Sequence, residues 1–227
     1  MTPTIIELEA VDVLPTEAGD AVLLRGVNWP IQRGDFWVIS GAPGTGKSSL
    51  LATAAGLNRP GNGTLRIFGR NLADATETEQ VQWRRQIGFV FEGGGRLLTH
   101  LTVAENIALP LWYHTDLPAA EVQAQVQAWL DRTGLTDLAS ARPSRLSPRL
   151  QQRAGLARAL VVPTEVLFVD HPPTVLDAAE AGWWREQLSA LHAQGVTVVV
   201  GTNDRAPWAG LPARTGRIRD TQFHIEE

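Results

Sequence analysis

Cysteine is absent from this 227-residue sequence, which excludes disulfide bonds, thiolate metal sites and a cysteine nucleophile. Long apolar runs are absent too: the longest, such as Val196–Val200, have the length of strands, whereas a membrane-spanning helix needs about 20 residues. The first residues lack the basic segment of a secretory signal, and a formal net charge of -4 gives no broad basic surface for nucleic acid. We therefore expect a globular, cytoplasmic protein with no nucleic-acid partner.

Lysine is nearly absent. Of the 20 lysine and arginine residues only Lys47 is a lysine, and it lies in the segment Gly41-Ala-Pro-Gly-Thr-Gly-Lys-Ser48. This segment matches the phosphate-binding loop G-x4-G-K-[ST], with an apolar strand pattern before it and a helical pattern after it. Glycines let backbone N–H groups surround phosphate oxygens, and the start of the helix adds a positive dipole end. The alternative, a glycine-rich turn with a solvated lysine, is disfavoured because the one lysine occupies the one position that the motif requires.

The loop predicts a site for ATP with Mg²⁺. We expect Lys47 to reach the β- and γ-phosphates and the Ser48 hydroxyl to bind Mg²⁺. The strand pattern Val166–Asp170 ends in a carboxylate, and Asp170 is expected to orient Mg²⁺ through its water shell. The predicted nucleotide-binding residues of the loop are Gly41, Ala42, Pro43, Gly44, Thr45, Gly46, Lys47, Ser48 and Ser49.

Two kinds of strand pattern are present. Short runs between turn-rich segments predict antiparallel strands at Thr4–Val13, Ala21–Trp29 and Gly63–Phe68. Nearly continuous apolar runs predict parallel strands that are covered on both faces, at Phe36–Ser40, Ile87–Phe91, Val166–Asp170 and Val196–Gly201. The sequence therefore predicts an α/β fold with a parallel core and an antiparallel sheet beside it.

Between residues 92 and 147 the pattern becomes helical. A segment that can begin at Asp116-Leu-Pro118 has apolar residues at helical spacing, namely Val122, Val126, Trp129 and Leu130. Two further helices are expected at Arg149–Val161 and Ala178–Ala193. No repeat or long linker is visible, so we expect a single domain over residues 1–227.

Three stretches resemble the ATP-binding subunit of an ABC transporter, namely Arg142–Leu160, Glu165–Asp170 and Leu176-Asp177. In that family a signature loop, L-S-G-G-Q, leads into a helix with Q-Q-R-x4-A-R-A-L and then into the strand that ends at the Walker B aspartate. Here the spacing from Leu146 to Asp170 matches this order without a gap. Ile87–Glu92 followed by Leu101–Leu111 is similar to the family's Q-loop region.

The resemblance covers nearly the whole chain and implies an ABC-type P-loop NTPase. Residues 1–91 and 160–227 would form the antiparallel β-subdomain and the nucleotide-binding core, and residues 92–159 an inserted helical subdomain. It also implies a dimer with an identical or a different ATP-binding subunit, and a membrane permease docked around Glu92–Leu111, at the inner face of the cell membrane. Within the family, Tyr113–Pro118 and Arg142-Pro-Ser144 look most like the Mla/Mce-type subunits that power phospholipid transport.

Several family positions are altered. The catalytic glutamate, switch histidine and Q-loop glutamine of the family correspond here to His171, Asn203 and Glu92. His171 can accept a proton from water, Asn203 can donate a hydrogen bond but carries no charge, and Glu92 can still bind Mg²⁺. In the family, the two signature glycines let backbone N–H groups approach the ATP that is bound on the opposite subunit. Here Pro148 and Arg149 replace them, whereas Ser147 is retained as a nucleotide contact.

Two hypotheses follow from the altered positions. The first is an ATPase subunit that powers a permease, and the second is a regulatory or structural subunit that binds MgATP and hardly hydrolyses it. A P-loop small-molecule kinase is disfavoured by the spacing between the signature and Walker B. No aromatic residue precedes Trp29, so the family's adenine-stacking side chain is missing, with Val13 or Leu14 near its position.

Overall fold

In a computed structural model of the protein, the structure describes residues 2–16, 21–93, 96–173 and 178–226. A four-stranded antiparallel sheet has the order β2-β1-β4-β5. Its strands are β1 (Thr4–Val13), β2 (Leu24–Gln32), β4 (Asn62–Ile67) and β5 (Arg70–Asn71). Its apolar face contributes Ile6, Leu8 and Trp29 to a core that it shares with the second sheet.

The second sheet has six strands in the order β10-β9-β3-β8-β7-β6. They are β3 (Phe36–Ser40), β6 (Ile87–Val90), β7 (Val166–Asp170), β8 (Thr197–Thr202), β9 (Arg214–Arg219) and β10 (Gln222–Glu226). Every pair is parallel except β9 with β10. All residues of β3, β7 and β8 are buried, which explains their unbroken apolar sequences. The predicted α/β fold with a parallel core and an antiparallel sheet is therefore confirmed.

Six α-helices surround these sheets within the described ranges. They are α1 (Lys47–Ala54), α2 (Glu77–Gln86), α3 (Val103–His114), α4 (Ala119–Thr133), α5 (Pro148–Leu160) and α6 (Ala178–Ala193). Helices α3, α4 and α5 pack around their own apolar cluster, which includes Val103, Val126 and Ala154. In the part of the chain that the structure describes, no helix combines the length and apolar character needed to cross a membrane.

The structure corrects several element boundaries. The second strand runs from Leu24 to Gln32 rather than over 21–29, because its pairing with β1 extends from Leu24 opposite Val13 to Gln32 opposite Thr4. The helix that the sequence places from Asp116-Leu-Pro118 begins at Ala119, with Pro118 at its N-cap. The other strands and helices for which the sequence predicted bounds agree to within one or two residues. Helices α1 and α3 were expected only as helical patterns, after the phosphate-binding loop and within residues 92–147. Helix α2 and strands β5, β9 and β10 were not predicted.

Candidate functional site

The phosphate-binding loop connects the buried strand β3 to helix α1. Gly44 and Gly46 have φ angles of 76° and 96°, a left-handed region that residues with a Cβ rarely adopt, so these positions require glycine. Gly46 is the N-cap of α1 and supplies no side-chain hydrogen bond, and the first turn of the helix contains no acidic residue. The backbone N–H groups at this end of α1 are thus available to an anion.

The Lys47 ammonium is held inside the loop. Its side chain is buried, and Nζ donates hydrogen bonds to the carbonyl oxygens of Gly41 at 2.9 Å and Ala42 at 2.8 Å. Burial lowers the pKa of Lys47, while the charges of Asp170 and Glu92 act in the opposite direction. The loop therefore closes around a compact cation, and the one lysine of the chain holds its backbone in place.

Asp170 ends β7 as a buried carboxylate. Burial raises the pKa of Asp170 to about 6; a hydrogen bond from Ser48 opposes the rise and the charge of Glu92 adds to it. Its Oδ1 atom is buried and makes no hydrogen bond to any described residue. A buried carboxylate oxygen without a partner suits a cation. The residues present therefore fit Mg²⁺, which takes few protein ligands and keeps several waters.

One cavity joins the two halves of the predicted site. It has a volume of about 580 Å³, and Ser48, Ser49, Glu92 and Asp170 all line it. The structure thus brings together the three predicted metal ligands, Ser48, Glu92 and Asp170, although they lie far apart in the sequence. Arg96 also lines the cavity, with its guanidinium carbon 4.4 Å from the centre of the Phe91 ring. Sequence reasoning missed Arg96, because no motif marks it.

His171 follows Asp170 in an unusual backbone conformation. Its φ angle is 46°, and its N–H donates to the carbonyl oxygen of Gly201 at 3.0 Å. Burial lowers the pKa of His171, while the charge of Glu92 raises it and that of Lys47 lowers it. The half-buried imidazole is therefore biased towards its neutral form, which is the form that can accept a proton.

Asn203 lies on the other side of the loop. It lines a second cavity of about 370 Å³, together with Ser40, Gly41, Ala42 and the arginines at 205, 217 and 219. The structure therefore does not place Asn203 in the cavity that contains Asp170. Its side chain is exposed at the carboxyl end of β8.

The altered signature has a local structural explanation. Ser147 is the N-cap of α5, where its Oγ accepts from the Leu150 N–H at 3.5 Å, and Pro148 occupies the first helical position that proline favours. Arg149 Nε lies 3.7 Å from Oε2 of Glu180, a buried residue on α6. At the second altered glycine position, the Arg149 guanidinium therefore lies beside a carboxylate of its own chain.

The two residues near the position of the family's adenine-stacking side chain differ in burial. Val13 is fully buried in the core, so it cannot contact a nucleobase, whereas Leu14 is half-buried.

Leu176 and Asp177 of the family resemblance, and two of the three glycines at 93–95, lie outside the described residues. Gln152 donates to the carbonyl oxygen of Asp170 and so belongs to the site. It is part of the Q-Q-R motif, but the sequence gives no sign that its side chain makes this contact.

Comparison with known proteins places this geometry in a family. Residues 24–174 match the ABC transporter family, and the chain belongs to it. The chain is 37% identical over 198 residues to the pyoverdine export ATP-binding/permease protein PvdT of Pseudomonas fluorescens, covering 86% of this chain and 29% of PvdT. It is 40% identical over 189 residues to the sulfate/thiosulfate import ATP-binding protein CysA of Mycobacterium bovis, covering 83% of this chain and 52% of CysA. It therefore spans about half or less of these curated relatives.

A solved structure agrees over nearly the full length. The dimeric ATP-binding cassette MJ0796, in a post-hydrolysis state bound to ADP and phosphate, superimposes with a TM-score of 0.88. The two chains are 29% identical, and the match covers 98% of each. This chain therefore carries the ATP-binding domain of an ABC transporter.

Proposed function

We propose that this chain binds MgATP in the cavity between the loop at 41–49 and Asp170, and that it couples this binding to a membrane permease. The observation that carries the proposal is the buried Asp170 carboxylate, whose Oδ1 has no partner among the described residues and which faces the phosphate-binding loop. When bound, Mg²⁺ would neutralise phosphate charge between Ser48, Glu92 and Asp170. Lys47 and the N–H groups at the start of α1 would hold the phosphates.

The second part of the proposal is that ATP turnover is slow. His171 can accept a proton from water, but an imidazole differs from a carboxylate in reach and geometry. Asn203 lines a separate cavity, and Arg149 contacts Glu180 of its own chain. These two placements favour the alternative that the subunit binds ATP and hardly hydrolyses it, serving as a regulatory or structural member of the complex.

A permease partner is supported by an exposed apolar side chain whose backbone is hydrogen-bonded to α3. Leu97 is buried, whereas Leu98 is 38% exposed. The side chain of buried Asn106 accepts from the Leu98 N–H at 2.8 Å and donates to the Leu98 carbonyl oxygen at 3.1 Å. Both backbone groups of Leu98 are therefore tied to α3, and Trp112 and Tyr113 near the end of the same helix are exposed as well.

The remaining partners follow from the relatives. A dimer is supported by the dimeric state of MJ0796, and a permease by the combined ATP-binding and permease character of PvdT. Both support the proposal that the chain lies at the cytoplasmic face of a membrane. A lipid substrate is proposed only from the resemblance of residues 113–118 and 142–144. The relatives named above do not support it, since they are an exporter and an importer of other compounds.

The test of the nucleotide site is calorimetric titration with MgATP. Lys47→Ala should weaken binding by about 30-fold or more, because a charge-assisted hydrogen bond to phosphate is lost. Lys47→Arg should also bind poorly, since the carbonyl oxygens of residues 41 and 42 surround a compact ammonium at 2.8–2.9 Å and leave no room for a planar guanidinium. Arg59→Ala, which removes an exposed cation, is the control. Unchanged affinity in Lys47→Ala would refute the site.

A further inference from the structure

Gln152 connects the helical part of the chain to the nucleotide site. It lies on α5, and its side chain is only 3% exposed. Its Nε2 atom donates to the carbonyl oxygens of Asp170 at 2.9 Å and His171 at 3.1 Å, and lies 3.4 Å from that of Phe91. Phe91 precedes Glu92, so one side-chain amide contacts the backbone on both sides of the proposed metal site.

His171 needs such a contact because its backbone is strained. With φ at 46° it lies in the left-handed region, which the Cβ of an L-residue disfavours. The next residue is Pro172, and a residue before proline is normally held in extended conformations. Such a conformation persists only where the surroundings enforce it. Here the His171 N–H is bound by Gly201 and its carbonyl oxygen by Gln152.

The helix that carries Gln152 is itself fixed. The next residue, Arg153, donates through Nε to Oε1 of Glu180 at 3.0 Å and through Nη2 to Oε2, and its guanidinium carbon lies 4.1 Å from the Trp183 ring centre. The Glu180 side chain is 1% exposed, so the ion pair is shielded from water. The helix that carries Gln152 is therefore joined to α6 through the neighbouring Arg153, and it begins at the signature residue Ser147.

We propose that Gln152 is a positioning residue of the nucleotide site: its amide holds residue 171 in the left-handed turn and so fixes where the His171 imidazole stands. The effect on turnover rests on the proposed function, whereas the backbone contact does not. A shift of α5 would change this contact. A movement of the signature at the start of α5 would therefore alter the backbone at residue 171 through the Gln152 amide.

Amide hydrogen exchange of the peptide 166–173 tests the contact through the His171 N–H, which bonds to Gly201 only while residue 171 keeps the conformation that Gln152 holds. Its last two residues are prolines without N–H groups, so His171 is the last exchanging amide. Gln152→Met removes the donors at nearly constant length and should speed His171 exchange about tenfold, the loss expected for one hydrogen bond. Gln151→Met is the matched control, since Gln151 is half-buried and its Nε2 donates only to the Leu146 carbonyl oxygen among the described residues, at 3.0 Å. If Gln152→Met does not fold, Gln152→Asn replaces it, because its amide is one methylene too short.

A rescue separates the backbone role from general loss of packing. Combining Gln152→Met with His171→Gly should restore slow exchange at residue 171, because glycine adopts the left-handed region without help. Unchanged exchange in Gln152→Met, or persistent fast exchange in the double variant, would overturn the proposal.

The functional test compares the effect of the substitution on MgATP affinity with its effect on the rate of ATP hydrolysis. In a His171→Glu background, Gln152→Met should lower the rate of phosphate release about tenfold while MgATP affinity stays within about threefold, since the phosphate-binding loop is untouched. An equal loss of affinity and rate would contradict a positioning role. If the unmodified protein binds no MgATP, the proposed function fails, and the exchange data still decide whether Gln152 holds residue 171.

Discussion

At the scale of one residue, the buried Asp170 carboxylate lowers the stability of the folded state when it is ionised. Its pKa is raised to about 6 in the folded chain, against about 3.9 for an ordinary aspartate. Between these values the folded state binds a proton that the unfolded state does not, so stability falls as the pH rises through this window. Above about pH 6 the full penalty is present, and two pKa units correspond to roughly 3 kcal/mol.

Asp170→Asn should remove this penalty because it keeps the shape of the side chain and deletes the charge. At pH 7.5 we expect the variant to be more stable by about 2–3 kcal/mol and to have lost Mg²⁺-dependent ATP affinity. Chemical denaturation at pH 4–8 should show that the gain disappears below about pH 4. The control is Asp137→Asn at an exposed aspartate, which should change neither the free energy of unfolding nor the MgATP affinity. Equal stability of Asp170→Asn and the unmodified protein at pH 7.5 would mean that the carboxylate is well solvated.

The residues of the site differed in how far the sequence could predict them. The phosphate-binding loop and Asp170 were accessible because their chemistry is written in contiguous motifs. Gln152 was not, since its partners lie just after β6 and at the end of β7, and only the fold brings them to α5. The left-handed backbone of His171 even runs against its sequence, because the following proline favours an extended conformation.

At the scale of elements, the sequence predicted those strands and helices whose burial produces a recognisable pattern of apolar residues. Strands β3, β7 and β8 are buried on both faces and are therefore apolar throughout. Strands β9 and β10 carry few apolar residues, and α2 buries only Trp83, so these elements have no clear periodicity. The one signal of α2 is its capping box, in which Thr76 and Glu79 bind each other's backbone N–H groups.

The loop before α3 carries a prediction about the permease. Leu98→Ser should abolish co-purification with a membrane complex while leaving MgATP affinity unchanged, because the side chain is exposed and lies outside the nucleotide cavity. Leu57→Ser is the matched control, since Leu57 is 43% exposed and belongs to the turn after α1. An undiminished complex with Leu98→Ser would show that permease docking does not use this loop.

At the scale of the whole molecule, the altered residues divide between two surfaces. His171 and Asn203 lie on either side of the phosphate-binding loop, His171 next to Asp170 and Asn203 in the second cavity. Pro148 and Arg149 lie at the start of α5, where the family resemblance expects the second subunit to bind. Four constructs separate these surfaces: the unmodified protein, His171→Glu with Asn203→His, Pro148→Gly with Arg149→Gly, and all four changes together. Arg149→Gly removes one contact of Glu180 but leaves the paired hydrogen bonds from Arg153, so the fold should survive.

Steady-state phosphate release from these constructs tests the slow-turnover proposal. The unmodified protein should hydrolyse ATP far more slowly than a typical enzyme rate of about 10 s⁻¹. His171→Glu with Asn203→His should raise the rate only in part, because the signature still lacks the backbone N–H of a glycine at position 148 and carries an arginine at 149. All four changes should raise it by more than the product of the two pairs, since groups that act together across an interface are not independent. Rapid hydrolysis by the unmodified protein that His171→Ala abolishes would instead make His171 a competent general base.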